Sequence, residues 1–223
     1  MIIPTGDSAP RRTTPVFNYL LILANIAVFQ RPDYESVVIG YALKPDQWMD
    51  IKTLFTSMFL HGGLLHLAFN MLFLWIVGDN VEDRLGHVPY LVFYLFAGLA
   101  GSVAHIIMAL QFLNMASIPT VGASGAISGV MGAYLVFFPG ARIKMRLWLI
   151  IFLPSFKLPS WGAIGLWVGS QVVLGYAQLQ GQAKGQEAMV AVFAHLGGFL
   201  FGFLVGFLVR LFGKPQPRSD SHQ

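Results

Sequence analysis

A serine and a histidine stand out in an otherwise apolar chain because each lies at the start of a glycine-rich hydrophobic stretch: Gly122-Ala-Ser124-Gly125 and Ala194-His195-Leu-Gly-Gly198. A serine hydroxyl attacks poorly until a neighbouring base takes its proton, and histidine is the usual base. The pair therefore suggests a nucleophile and its base held between helices. Gly125 and Gly129 form one small-xxx-small pair and Gly198, Gly202 and Gly206 form two more, a spacing that lets helix backbones approach closely. At 100° per residue, His195 falls within about 80° of the 198/202/206 glycine face. Simple glycine-mediated packing, with the polar pair as interhelical glue, would leave the same pattern.

Ser128 lies one turn beyond Ser124 on the same face, so spacing alone permits either as nucleophile. Ser124 is favoured because it lies at the helix opening, where free N–H groups can meet an oxyanion, and because Gly122 and Gly125 leave room around it. Acyl transfer also needs oxyanion donors. His66 and Asn70 share one helical face at i and i+4, and the backbone N–H of Ser124 is a third candidate; His66 and Asn70 also suit plain interhelical hydrogen bonding. Of the acidic residues, only Glu187 is near His195 in sequence, and eight helical residues separate them by about 12 Å. A Ser–His dyad is the economical reading. The six histidines include no His-Glu-x-x-His, and no carboxylate adjoins the His61/His66 pair, so neither a metal nor any other cofactor is expected. His105 reads as a hydrogen-bonded core or cavity histidine.

These residues need elements to position them, and the composition points to a bilayer as their surroundings. Apolar residues make up 56 % of the 223 positions and charged residues 11 %, against about 25 % charged in soluble domains. Six apolar segments are legible, at 16–30, 64–78, 88–112, 124–139, 158–178 and 189–212. The expected fold is an all-α, polytopic, six-helix membrane bundle over 16–212, with tails at 1–15 and 213–223. Residues 1–13 and 213–223 read as mobile. The first apolar segment lacks a cleavage site and is expected to stay as a span. With no cysteine, disulfides and thiolate chemistry are excluded.

Basic residues set the orientation. Arg11, Arg12, Arg84, Arg142, Lys144, Arg146, Lys157, Arg210, Lys214 and Arg218 fall on the side of the amino terminus, against Arg31, Lys44, Lys52 and Lys184 on the other. Both termini are therefore expected in the cytoplasm, with the basic loops against anionic lipid and no nucleic-acid partner needed. Segment 31–63 reads as a structured interfacial loop. Segment 143–157 is too short to span and reads as an interfacial helix or buried turn. The fourth segment, at about 1.5 Å per residue, reaches roughly 24 Å of a roughly 30 Å hydrocarbon layer. Residues 113–123 must descend to meet it, which points to a protein-lined cavity there.

Taken in order, His61-Gly-Gly…His66-x-x-x-Asn70, Gly78-x-x-x-Glu82-x-x-x-Gly86, Gly122-Ala-Ser124-Gly125 and Ala194-His195-x-x-Gly198-x-x-x-Gly202 resemble the motifs of the rhomboid family of intramembrane serine proteases. Each motif alone is weak, but the ordered set is specific. The resemblance implies Ser124 as nucleophile, His195 as general base, and His66 and Asn70 as oxyanion stabilisers. It also implies cleavage in or beside a transmembrane segment of membrane-protein substrates, in a plasma membrane of bacterial type. Glu82 would be structural, pairing with Arg84 or a loop backbone. Two positions depart from many members: Lys52-Thr53 stands for Trp-Arg, and Ser128 stands where an aromatic ring stacks on the histidine. A hydrogen bond from Ser128 is the alternative there.

A catalytically inactive relative that binds membrane-protein clients is the second reading, although such relatives usually lack the serine or the histidine. A transporter is disfavoured, since the spans show neither paired charges nor repeat symmetry. No motif specifies an oligomeric state.

Overall fold

The computed structural model describes residues 2–113, 115–147, 155–183 and 190–213. Six long helices follow the six apolar segments: α1 (Val16–Phe29), α4 (Leu64–Leu85), α5 (His87–Gln111), α6 (Ser124–Phe137), α7 (Ser160–Leu179) and α8 (Val192–Phe212), with two short ones, α2 (Tyr34–Tyr41) and α3 (Ile51–Thr56), inside the first loop. The chain is thus a mostly helical, polytopic membrane bundle, as the all-α expectation has it for the spans. Leu64–Leu85, His87–Gln111 and Val192–Phe212 are long and apolar enough to cross a membrane, and Val16–Phe29 and Ser124–Phe137 are shorter apolar helices. Leu166, Val172, Val173 and Tyr176 of α7 and Leu200, Leu204, Phe207 and Leu208 of α8 face outward, an apolar girdle suited to lipid. Lys184, Glu187, Lys214, Arg218 and Asp220 lie outside the described residues.

At the centre stands α6. Ten consecutive residues, Gly125 to Tyr134, are buried, as expected of a helix that is apolar all round. Its contact with α8 is made backbone to backbone: a Cβ on Gly202 would lie 1.8 Å from the Gly129 carbonyl oxygen, and one on Gly198 2.0 Å from that of Gly125. Gly101 of α5 abuts the Ala194 carbonyl in the same way, since a Cβ there would lie 2.6 Å from that oxygen.

The corner between α4 and α5 explains the Gly78/Glu82/Gly86 motif. Glu82, fully buried, accepts the first N–H groups of α1, from Phe17 at 3.0 Å and Asn18 at 2.7 Å, and meets His87 Nδ1 at 2.5 Å. A carboxylate at a helix N-terminus is favoured by the unpaired N–H groups there. Of the two expected partners, Arg84 or a loop backbone, the carboxylate meets backbone, here that of the start of α1, and Arg84 sits over the Phe137 ring, 5.4 Å from its centroid. Gly78 makes space for Asn18, whose Nδ2 donates to the Leu74 carbonyl at 3.1 Å while Tyr90 OH donates to its Oδ1 at 2.8 Å. Gly86 turns the chain at φ +89°. With these polar groups satisfied, α4 runs to Leu85, beyond the apolar segment that ends at 78.

Two expectations are corrected at the far end. The 143–157 region is neither helix nor buried turn in its described parts: β2 (Arg142–Leu147) and β3 (Phe156–Pro159) pair antiparallel, and β1 (Ile2–Gly6) joins β2 to give the order β1-β2-β3. Ile143 and Met145 turn inward while Arg142, Lys144 and Arg146 face out, the period of two that marks a strand. Residues 2–13, expected to be mobile, are therefore held. Arg11 donates to Asp79 at 3.0 Å, the Arg12 and Thr13 N–H groups donate to Asp83 at 3.1 and 2.7 Å, and Tyr134 OH donates to Asp7. Arg210 donates to the Val136 carbonyl at 3.0 Å. The basic cluster thus gathers around the C-terminal end of α6, and Ser124 opens the opposite end.

Gly202→Ala should cost about 1–3 kcal/mol, because neither backbone can yield to the added methyl. Gly165→Ala, at an exposed position with nothing within 4 Å, should be neutral or up to about 1 kcal/mol stabilising. Thermal unfolding in detergent reads the difference. Burial, with Asp79 nearby, pushes the Asp7 carboxyl up to about 6 against hydrogen bonds from Tyr134 and the Ala9 backbone. Docking of β1 is then firmest below the ordinary carboxyl range and weakens as pH rises through about 6. Hydrogen exchange at Ile3, Thr5 and Gly6, corrected for intrinsic rates, should lose protection as pH rises from about 4 to about 6 and level off above that, and Asp7→Asn should flatten that dependence.

Candidate active site

Ser124 is the first residue of α6 and His195 lies in the first turn of α8. The α6/α8 glycine contacts begin at Gly125 and Gly198, immediately beyond them, so close backbone approach is set at the position where both side chains project. His195 Nε2 lies 2.8 Å from Ser124 Oγ. The ring's other nitrogen, Nδ1, lies 2.7 Å from Gln171 Oε1 of α7. Ser128 is turned elsewhere, its hydroxyl donating to the Ser124 carbonyl at 2.5 Å, as mid-helix serines do. The aromatic neighbour of the histidine comes from α7 as well: the Trp167 ring is 5.9 Å from that of His195 and inclined at 39°.

The approach to Ser124 is built from irregular backbone whose polar groups are all the more in need of partners because the site is enclosed. Leu43 and Thr120 exchange two backbone hydrogen bonds, at 3.1 and 2.7 Å, and Asp46 N–H donates to the Ala116 carbonyl at 2.9 Å. Gly122 N–H donates to the Ser57 carbonyl at 2.9 Å. The first loop thereby carries the chain down to α6. Thr120 Oγ1 is 2.9 Å from His105 Nε2, so His105 braces this segment.

Gly122 is glycine for two reasons. Its φ of +134° suits no side chain, and a Cβ would lie 3.0 Å from His66 Nε2 and 3.5 Å from Ser124 Oγ. His66 therefore comes up beside the serine across the Cα of Gly122. Gly62 N–H donates to His66 Nδ1 at 3.3 Å, which leaves the proton of the neutral ring on Nε2, the nitrogen facing Gly122 and Ser124. Asn70 is buried, and its Nδ2 has no hydrogen-bond partner among the described residues. Burial, reinforced by His66, pushes His61 down to about 3, so it stays neutral and stacks edge-on against His66 with ring centroids 5.2 Å apart.

A cavity of about 560 Å³ opens onto these groups; Ser124, His195, His66, Asn70, Ser128 and Trp167 are among its lining. Such a volume accommodates a short stretch of extended polypeptide. The arrangement provides a hydroxyl hydrogen-bonded to an imidazole, with an amide and an imidazole N–H facing the same space. Among the described residues, no group of three or more His, Cys, Asp or Glu side chains is placed to hold a metal ion.

The sequence motifs thus bring Ser124, His195, His66, Asn70 and Gly122 together, with Gly125, Gly198 and Gly202 in the seam beneath them and Glu82 at the remote corner. Sequence reasoning missed Gln171 and Trp167. Both lie on one face of the fifth apolar segment at i and i+4, and a glutamine within a span is a signal for function in its own right.

Comparison with known proteins gives the family of the chain. The chain is 35 % identical over 130 residues to the rhomboid protease GluP of Bacillus subtilis, covering 54 % of this chain and 24 % of that protein. It is 32 % identical over 135 residues to the mitochondrial rhomboid protein 1 of Saccharomyces cerevisiae, covering 57 % and 38 %. It is 28 % identical over 188 residues to the mitochondrial presenilin-associated rhomboid-like protein of Bos taurus, covering 81 % and 45 %. The matched regions span less than half the length of each of these relatives. A model of the Rhomboid domain matches residues 46–212, from the first loop to the end of α8, and the chain belongs to the rhomboid family.

Proposed function

We propose that this protein is an intramembrane serine endopeptidase that hydrolyses peptide bonds in or beside the transmembrane segment of membrane-protein substrates. The observation that carries the reading is the 2.8 Å contact between Ser124 Oγ and His195 Nε2 at the wall of a substrate-sized cavity. Ser124 Oγ attacks the scissile carbonyl as His195 Nε2 takes its proton. The oxyanion that forms is met by Asn70 Nδ2, His66 Nε2–H and the Ser124 backbone N–H, which lies at a helix start and lacks an intrahelical acceptor. The histidine then gives its proton to the departing amine. Water, deprotonated by the same imidazole, releases the acyl group from Ser124. The termini and the basic sheet face the cytoplasm of a plasma membrane in this reading, and Ser124 opens toward the opposite side.

Ser124→Ala and His195→Ala should each reduce cleavage of a purified single-span peptide in detergent to background while thermal unfolding stays near wild type. The double variant should be no worse than either single one. Near-normal turnover in either would overturn the shared role. It would leave a client-binding relative as the reading, to be tested by co-purification of the uncut peptide.

Asn70→Ala should lower kcat by about 10²–10³ without abolishing it, since other donors remain. Loss of thermal stability alone, with kcat unchanged, would assign Asn70 to packing.

A further inference from the structure

The imidazole of His195 uses both nitrogens, and only one is needed for a dyad. For Nε2 to accept a proton from Ser124, the neutral ring must carry its own proton on Nδ1. In water the two tautomers compete, and a ring with the proton on Nε2 offers Ser124 no base. A group that accepts from Nδ1–H selects the productive form, and in this chain that group is Gln171 Oε1, 2.7 Å away.

The glutamine is itself oriented. Its Nε2 donates to Ser170 Oγ at 3.3 Å, and Ser170 Oγ donates to the Trp167 carbonyl at 2.6 Å. Carbonyl and amide ends therefore have different partners, and a flipped amide would point a donor at a nitrogen that must itself donate. One turn earlier on the same face, the Trp167 ring lies beside that of His195, tilted by 39° with centroids 5.9 Å apart, and limits the room for ring rotation. Gln171 is only 9 % exposed on a helix whose neighbouring residues Val172 and Val173 face outward. It does not line the 560 Å³ cavity.

We propose that Gln171 is a positioning residue that holds His195 in the Nδ1–H tautomer, so that α7 supplies a third, uncharged member to the Ser124–His195 pair. The proposal rests on the reading of that pair as nucleophile and base. An amide carbonyl fixes the tautomer and ring plane as a carboxylate would, without placing a full negative charge beside the imidazolium that forms during attack. Burying a carboxylate at this depth would be far more costly than burying an amide.

The test is the rate of fluorophosphonate labelling of the full-length protein in detergent, resolved into kinact and KI and followed against pH. Gln171→Leu keeps the bulk and removes the acceptor; it should lower kinact about tenfold or more, the effect of leaving one buried donor unpaired, with KI within about twofold. Gln171→Glu restores an acceptor and should recover most of kinact. Its acid limb should move to higher pH, because a carboxylate beside Nδ1 stabilises the protonated ring. Gln178→Leu removes another buried glutamine of α7, one that donates to the Val190 carbonyl at 2.9 Å, and should leave kinact unchanged.

Wild-type kinact in Gln171→Leu, or an equal fall in Gln178→Leu, would overturn the positioning role and reduce Gln171 to a packing contact. If Gln171→Leu does not fold, the glutamate variant decides: an unshifted acid limb overturns the proposal. Ser124→Ala separates the two levels. Labelling that persists there defeats the dyad itself, whereas labelling that is lost there but normal in Gln171→Leu defeats only the role of the glutamine.

Discussion

The distance between Ser124 and His195 depends on a seam in which two helices touch without side chains. Gly198 and Gly202 of α8 press on the carbonyl groups of Gly125 and Gly129 of α6, so closely that a Cβ would fall within 2.0 Å of either oxygen. In lipid, where apolar surface gains little by leaving one greasy neighbour for another, such contact is a principal source of helix association. It is also a source of precision. Long side chains at an interface can adjust their rotamers, whereas backbone against backbone has one separation. Ser124 immediately precedes the seam on α6 and His195 lies one turn before it on α8, so both inherit that separation.

A second constraint comes from the irregular segment that leads into α6. Backbone at this depth has little water to bond, and residues 115–123 find partners instead in the first loop, through Leu43, Asp46 and Ser57. The first loop is consequently the support on which the start of α6 is hung. It also explains why Gly122 has the conformation it does: the residue must bond backward to Ser57, turn, and leave the space that the His66 ring fills.

Much of this was legible in the sequence because it rested on local rules. Composition gave the bilayer, apolar length gave six helices, and glycine spacing gave the α6/α8 seam. The i, i+4 relation of His66 and Asn70 put both on one face. What was missed shares a different character. β2 alternates basic and apolar residues, but its brevity and neighbouring apolar stretch disguised the period of two, and its pairing with residues near the amino terminus has no local signature. Gln171 is visible as a polar residue within a span, but it carries no charge to mark it as a partner for the histidine, although an amide can perform the orienting half of a carboxylate's task. Of the two partners expected for Glu82, Arg84 points to Phe137 instead, and the backbone that the carboxylate does meet is the start of α1, more than sixty positions away, which no local pattern identifies.

That last contact bears on how the molecule assembles. Glu82 is completely enclosed, and much of its hydrogen bonding comes from the backbone of α1. Removing the partners of a buried charge typically costs about 3–5 kcal/mol. The start of α1 is therefore tied to the α4–α5 corner through a buried carboxylate, so loss of α1 should destabilise that corner by an amount of this order. The recognisable domain begins at residue 46 and excludes α1. Ancestry and autonomy thus have different boundaries in this chain: a fragment starting at 46 keeps Ser124, His195, His66 and Asn70 but loses the Leu43 backbone that holds Thr120, and at the opposite end of the bundle it leaves the Glu82 carboxylate with His87 in place of three partners.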